Sequence, residues 1–567
     1  METRNCQNCK SSFTIEPDDF LFYEKIKVPP PTWCPECRLQ RRFAWRNEGI
    51  FRRTKCVLCG KNTITNNSLF NKFPVYCSDC WHGDGWDALD YKSDYNFSKN
   101  FFKQWYELLQ KTPNINLWGL GNINSEYSNY TGYSKNIYLS NATHCEDIAY
   151  SRLVDKSKNL IDCYYVSNSE FCYENFTTRK IYNSSFLNNC SDCIDSYFLY
   201  DCKNCSSCFM CFGLRNKSFC IRNKEYSKEE YLIEINNYNP SSFLKLVEFK
   251  KEFILLIKEN IHKFAYIINS INVTGDNIIN SKNAINCFMV EGGENVKNCW
   301  RMFGKLKDSY DVTGGLSNEL CYESSLAADG GYLTKFFSHS KGNKNSEYLH
   351  LCINCSNCFA CIGLKNKSYC ILNKQYTKEE YEELVPKIIK HMSDMPYIDS
   401  KGRVYKYGEF FPSELSPFCY NETIAQEYFP LTKEQALEQG YRWKDKEERN
   451  YNIDIHSNDI PDDIKDVNDD ITNKIIECEH KGTCNQQCTE AFKIIPEELQ
   501  FYKRMNLPLP RLCPNCRHYE RLAQRNPLKL WHRKCMKPGC NNEFETSYSP
   551  DRPEIVYCEK CYQQEVY

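Results

Sequence analysis

Charge imbalance is missing from this chain: 72 Lys and Arg face 73 Asp and Glu, a formal net charge of −1 over 567 residues. A balance that close removes any global pull toward nucleic acid or an anionic membrane, so such attraction would have to be local. Long apolar runs are missing too. The most apolar stretch, Phe253 to Ile257, is broken by Lys258 and Glu259, far short of the roughly 20 residues that span a bilayer. The opening METRNCQNCK lacks the apolar segment of a secretory signal. These absences lead to the expectation of a cytoplasmic protein without a membrane partner. Leu and Val are sparse, and 40 Tyr with 33 Phe supply core-forming side chains instead.

Cysteine is abundant, at 36 residues. Without an export signal, disulfides explain it poorly, and most of these cysteines form close pairs that suit a metal tetrahedron. Cys6 and Cys9 are followed after 24 residues by Cys34 and Cys37, and then by Arg38. Near the other end Cys484 and Cys488 are followed after 24 residues by Cys513, Cys516 and Arg517. Between the pairs both copies read F-x-I-x-P, then FY, then a proline-rich approach. Each copy carries a second quartet with 17 residues between its pairs: Cys56, Cys59, Cys77 and Cys80, and Cys535, Cys540, Cys558 and Cys561. Four soft thiolates satisfy zinc and leave no open position, so these sites read as structural. Sequential ribbons are the simple partition, and a cross-brace pairing is the rival. In the second copy Cys478 and His480 are spare, and one of them could displace Cys484. His82 could replace a sulfur, although its quartet is already complete.

After each second knuckle comes a basic helix. Arg38, Arg42 and Arg46 fall on one face, and Arg517, Arg521 and Arg525 repeat that spacing. Such a face could track a phosphate backbone, with RNA or a ribosome surface more expected than DNA, or it could meet a protein. The bland alternative is a solvated helix paired with Glu16, Asp18 and Asp19. Arg41 becomes Glu520 in the second copy, so the shared feature is the face and not bulk charge.

The middle of the chain holds a separate repeat. CKNCSSCFMCFGLRNKSFC from Cys202 returns at Cys352 as CINCSNCFACIGLKNKSYC, an offset of 150 residues. Short strand-like runs recur about every twenty residues, as in a parallel β-helix with Asn at its corners. Ser227 with Glu230, and Thr377 with Glu380, form capping boxes that would start a helix over the end of each unit. The expected fold is therefore mainly β, with paired zinc ribbons at each end flanking a duplicated β-helix-like solenoid with capping helices. In order this gives a ribbon module over 1–92, a helical connector over 93–115 capped by Ser98, solenoid units over 116–238 and 271–395 separated by a helical spacer over 239–270, an ordered connector over 396–444, an acidic tether over 445–475, and a ribbon module over 476–567.

The central runs Cys202, Cys205, Cys208, Cys211 and Cys352, Cys355, Cys358, Cys361 admit a redox or metal role. Against this, their last gap departs from the ferredoxin pattern, and cysteine also serves as a compact core residue. An enzyme on the solenoid face is a further alternative. Glycoside hydrolysis would need two facing carboxylates, for which Asp162 with Glu170, or Asp308 with Asp311, are available.

The terminal motif, a cysteine pair, FYxxxxxPxP, then CPxCR, resembles the probable zinc-ribbon domains of many bacterial proteins. With the CxxCxxCFxCxGLxNKxYC blocks and YNETIAQEYFPLTKEQA, the whole layout is similar to cysteine-rich multi-zinc-ribbon proteins of candidate-phyla-radiation (Patescibacteria) bacteria. The resemblance implies zinc at Cys6, Cys9, Cys34 and Cys37 and their counterparts, and implies no activity.

Overall fold

A three-residue rhythm in the backbone builds the centre of the molecule. In the computed structural model, which describes residues 1–566 apart from 69, 72 and 447–449, Asn159, Asp162, Tyr165, Asn168, Phe171 and Glu174 all have φ between 48° and 57°. The residues between them are extended. Asn and Asp visit this left-handed region cheaply; for Tyr or Phe it costs ~1–2 kcal/mol, which the strand hydrogen bonds above and below must offset. Four such triplets close one coil. Lys158 accordingly pairs with Glu170 and Tyr164 with Phe176, each in parallel and each twelve residues on.

The solenoid is therefore present, but its coil holds twelve residues where the sequence suggested about twenty. Only one residue in three faces inward, so recurrences counted on aromatic runs followed the outer surface and missed the bore. Leu160, Cys163, Val166, Ser169, Cys172 and Asn175 are consecutive inward positions, and all are buried. A bore this narrow favours short side chains. Ser169 donates to the Ser167 carbonyl at 2.8 Å and accepts the Ile181 amide at 3.0 Å, so its hydroxyl is satisfied without water. Cysteine takes the same place with a smaller desolvation cost, as Cys163 does toward Ile161 at 3.4 Å. Outside, amides stack one coil apart: Asn283 donates to Asn295 and Asn286 to Asn298, both at 2.8 Å.

The first unit is a 15-stranded sheet system and the second an 11-stranded one. Each stack ends in an antiparallel hairpin, Cys220 opposite Glu225 and Cys370 opposite Gln375. Helices Lys228–Ile235 and Lys378–Asp394 follow, both started by the expected capping boxes. Reversing the last strand blocks further pairing at that edge. The two stacks lie side by side, with Tyr165 stacked on Phe303 at 5.6 Å and Tyr130 hydrogen-bonded to His339 at 2.6 Å.

Helix Phe101–Lys111 is capped by Asn100 and not by Ser98, whose hydroxyl is held by Asn96 instead. Helix Phe243–Glu259 does more than separate the units: Phe249 and Phe253 pack against Phe198 of the first stack. The acidic stretch is no free tether over 450–475. Its Ile460, Ile464, Val467 and Ile471 are buried beside that helix. Asp462 accepts the Leu244 amide at 2.9 Å at the helix start, where a carboxylate is favoured by the helix dipole. Four aliphatic residues and the placed Asp462 carboxylate outweigh the composition.

The terminal modules cross. The N-terminal module lies on the second unit, with Phe22 stacked on Tyr310 at 3.9 Å and Lys25 paired with Asp308 at 3.0 Å. The C-terminal module lies on the first unit, with Tyr502 against Tyr173 at 5.6 Å. Its strand Ile555–Tyr557 also pairs with Ile261–Lys263. Among the described residues no helix is long and apolar enough to cross a membrane.

If the inward cysteines are core residues, Cys208→Ser should cost less than about 1.5 kcal/mol, because serine already fills such positions. Cys208→Leu should cost ~1–3 kcal/mol by overpacking the bore. Chemical denaturation of the two variants reads the difference directly.

Candidate metal centres and their docking arginines

Each cysteine group is assembled the same way. A two-stranded hairpin presents one knuckle, and the N-terminus of a short helix presents the other. Strands Glu2–Asn5 and Ser12–Ile15 carry Cys6 and Cys9 between them, while Cys34 caps helix Pro35–Phe43 and Cys37 sits in its first turn. Strands Arg52–Lys55 and Asn62–Thr65, with Cys77 capping Ser78–His82, repeat this for the second group. The sulfurs of Cys6, Cys9, Cys34 and Cys37 all lie within 4.8 Å of one another, as do those of Cys56, Cys59, Cys77 and Cys80, and of Cys535, Cys540, Cys558 and Cys561. Sequential quartets are thus the observed partition, and the cross-brace alternative falls away. Cys9 to Cys34 is 3.7 Å and Cys59 to Cys77 is 3.8 Å. A tetrahedron with metal–sulfur bonds of ~2.3 Å has edges of roughly 3.8 Å, so the thiols stand where a metal would need them. Among the described residues His82 takes no part in any group.

The fourth group corrects one ligand. It consists of Cys478, Cys488, Cys513 and Cys516, and Cys484 is outside it. Cys478 directly follows strand Ile476–Glu477, as Cys6 follows Glu2–Asn5. The position in the hairpin decides the ligand, and the local CxxxC spacing does not. Hydrogen bonds from Cys34 and Cys37 pull the Cys6 pKa far down, while at Cys34 the lowering bond from Cys37 is outweighed by Cys6 and by burial, and its thiol is pushed up to about 12.

Arg38, Arg42, Arg46, Arg517 and Arg521 are buried and Arg525 is half-buried, so these side chains do not form the exposed partner-binding face that their spacing suggested. Arg38 donates to the Trp33 carbonyl at 2.7 Å and to Asp311 at 2.8 Å. Arg42 reaches Asp311 and Glu323, both at 3.1 Å. Arg41 bridges Glu323 at 3.0 Å and Glu409 at 2.7 Å while lying over Trp33. Three guanidiniums thus meet three carboxylates away from water. Arg46 pairs with Glu48 at 2.5 Å, and Glu48 also accepts from Arg301 of the second unit at 2.7 Å. Burial alone would raise the Glu48 carboxyl, but Arg301 and Arg46 hold it well below the usual range.

The C-terminal copy repeats the device. Arg517 meets Asp162 at 3.2 Å and Glu498 at 3.4 Å, and Arg521 meets Asp162 at 2.6 Å. Arg525 lies over Tyr428 at 3.8 Å and donates to the Glu427 carbonyl at 3.0 Å. Asp162 and Asp311 are therefore docking residues. With Asp308 held by Lys25, neither carboxylate pair weighed for glycoside hydrolysis is free to act on a sugar. Asp19 pairs with Lys297 at 2.8 Å and not with the arginine helix.

The central cysteine runs resolve differently. Cys202, Cys205, Cys208 and Cys211 are the four inward positions of one coil, and Cys352, Cys355, Cys358 and Cys361 match them in the other unit; all are buried. Among the described residues no metal-compatible group includes any of them.

Where the copies differ, a cavity opens. It has a volume of about 890 Å³ and lies between the first unit, helix Phe243–Glu259 and the C-terminal module, with Asp276, Phe288 and Met289 of the second unit also on its wall. Phe176, Phe198, Tyr200 and Phe253 form apolar wall, and Lys250 and Glu520 add charge. Glu520 stands where the first copy has Arg41. Solvent reaches its side chain, yet surrounding protein raises its carboxyl pKa by desolvation. The substitution was visible in the sequence; the space it faces was not.

No protein-family model matches the chain, and no curated protein matches it. Among solved structures, one described as an acetyltransferase of Desulfovibrio desulfuricans G20 is similar at 12% identity, covering 51% of this chain and 86% of that one with a TM-score of 0.10. Superposition that poor carries no argument about this chain.

Arg42→Ala should destabilise the chain by ~3–5 kcal/mol, because it strands buried carboxylates. Arg53→Ala, on an exposed side chain, should change stability by less than about 0.5 kcal/mol. Urea unfolding of both variants, followed by tryptophan fluorescence, checks the contrast.

Proposed function

We propose that this chain is a non-enzymatic, zinc-clamped binding protein whose ligand enters the cavity between the first solenoid unit and the C-terminal module. The cavity itself carries the reading. Its volume of about 890 Å³ falls in the ~300–1,000 Å³ range of small-molecule sites, and its walls combine aromatic surface with many charged side chains of both signs, among them Glu174, Lys250, Arg517 and Glu520. Segments distant in sequence converge there, several of them from the C-terminal module, so the space exists only when that module is docked.

Zinc is the metal that all-thiolate ribbon sites favour. Four protein ligands leave no position for a substrate, which supports a structural part for the ion. Bound at Cys478, Cys488, Cys513 and Cys516, it would fix the start of helix Pro514–Leu522, and hence aim Arg517 and Arg521 at Asp162. Metal binding and cavity formation are then linked, since the ribbon orders the helix that closes the wall. Nucleic acid is the weaker reading of the partner, because the six arginines that suggested it already have partners inside the molecule. An aromatic or aliphatic small molecule with a polar end suits the cavity better.

Anilinonaphthalene sulfonate, whose fluorescence rises in apolar surroundings, should bind the zinc-loaded full chain saturably. Ala523→Trp places a large side chain in the cavity wall. It should weaken dye binding at least about tenfold, ~1.4 kcal/mol, while zinc content and melting temperature stay unchanged. Equal affinity in the variant, or no saturable binding by the parent chain, would overturn the proposal.

A further inference from the structure

The two ribbon modules differ most at the hairpin knuckle that faces the start of the last arginine helix. Cys6 and Cys9 enclose two residues; their structural counterparts Cys478 and Cys488 enclose nine, and those nine contain His480 and Cys484. The insert folds back on itself. The Lys481 amide donates to the Cys478 carbonyl at 2.8 Å and the Thr483 amide to the His480 carbonyl at 2.8 Å. Gly482 turns the chain at φ 73°, and a Cβ there would meet Lys446 at 2.5 Å and Glu490 at 2.7 Å, so the turn needs glycine. The result is a second set of ligand atoms beside the closed quartet: a His480 ring nitrogen and the sulfurs of Cys484 and Cys516 lie within 4.8 Å of one another.

Cys516 belongs to both sets. Its sulfur is 3.5 Å from Cys513, 3.9 Å from Cys478 and 3.7 Å from Cys484. Thiolates have more than one lone pair and bridge two soft or borderline cations readily. The His480 Nδ1 atom is buried and has no hydrogen-bond partner. A buried imidazole nitrogen left unpaired costs free energy, and a cation is the partner that the adjacent sulfurs select. Charge favours it as well. Four thiolates around one divalent ion leave a net −2; one more thiolate, a neutral imidazole and a second divalent ion bring the pair to −1, which is cheaper to hold against protein.

We infer that this knuckle holds a second divalent metal position of the zinc class, ligated by His480 and Cys484 and bridged to the structural site through Cys516. It has three protein ligands, leaving one place for water or an exogenous ligand. His480 and Cys484 are half-buried, so the ion exchanges with solvent. With one ligand shared and one missing, it is held more weakly than the four closed sites. The N-terminal module has no counterpart of either residue, so the chain binds five ions where its duplicated ribbons alone account for four.

The test is zinc stoichiometry and release on the full chain. After loading with zinc and removal of the excess, metal analysis and native mass spectrometry should find five ions per chain. The chromogenic chelator 4-(2-pyridylazo)resorcinol should strip one of them at least tenfold faster than the rest. His480→Ala and Cys484→Ser should each retain four slowly released ions and lose the fast one, with melting temperature unchanged, whereas Cys478→Ser should lose a slowly released ion. Saturation of the parent chain at four ions overturns the inference. So does loss of a slow ion from Cys484→Ser, which would place Cys484 in the closed tetrahedron.

Discussion

The molecule is held in one piece by carboxylates that the solenoid buries and the ribbon modules neutralise. Asp311 and Glu323 occur one coil apart on the second unit, and Arg38, Arg41 and Arg42 come from a segment some 270 residues earlier in the chain. Desolvating either set alone would be costly, because a charge moved from water into protein without a partner loses several kcal/mol. Association of the modules therefore supplies what burial demands. The same logic holds for Asp162 with Arg517 and Arg521 at the other end. Such pairs add little net stability compared with an apolar contact of equal size, but they are intolerant of mismatch. They fix which module sits on which unit.

The cysteine groups serve that constraint. An arginine can reach a buried carboxylate only if its helix starts in the right place and direction, and Cys34 and Cys513 are the residues before the first turn of those helices. A ribbon of this size has little apolar surface of its own, and its four cysteines stand close enough to hold a metal ion that would supply rigidity. The aromatic side chains then fill the space that the charged pairs define, as Trp33 does under Arg41 and Tyr150 under Arg517.

Two populations of cysteine thus share one spacing. In the ribbons, CxxC brings two sulfurs to one side of a knuckle. In the solenoid, the same interval is the inward repeat of the coil, so CxxCxxCxxC is a ring of core side chains. The interval is identical because both a tight knuckle and a three-residue coil side return a side chain to the same face after three residues. Only the backbone conformation between the cysteines separates them: the solenoid alternates extended and left-handed residues at φ near 50°. No one-dimensional pattern distinguishes the two. The flanking composition, rich in Asn, Ser and Tyr, was the readable hint.

What the amino-acid sequence determined by itself was local and repetitive: fifteen of the sixteen cysteines that gather in four metal-compatible groups, the capping boxes at Ser227 and Thr377, the duplication at 150 residues, and a β-rich solenoid. Each of these depends on neighbours in the chain, or on a motif written twice. The tertiary structure alone decided the destination of each arginine, the twelve-residue coil, the packing of 450–475, the choice of Cys478 over Cys484, and the cavity beside Glu520. Those depend on which distant surfaces meet, and the energies that choose among them arise only when water has been excluded. An arginine on a helix face looks the same in sequence whether it awaits a phosphate or has already found Asp162.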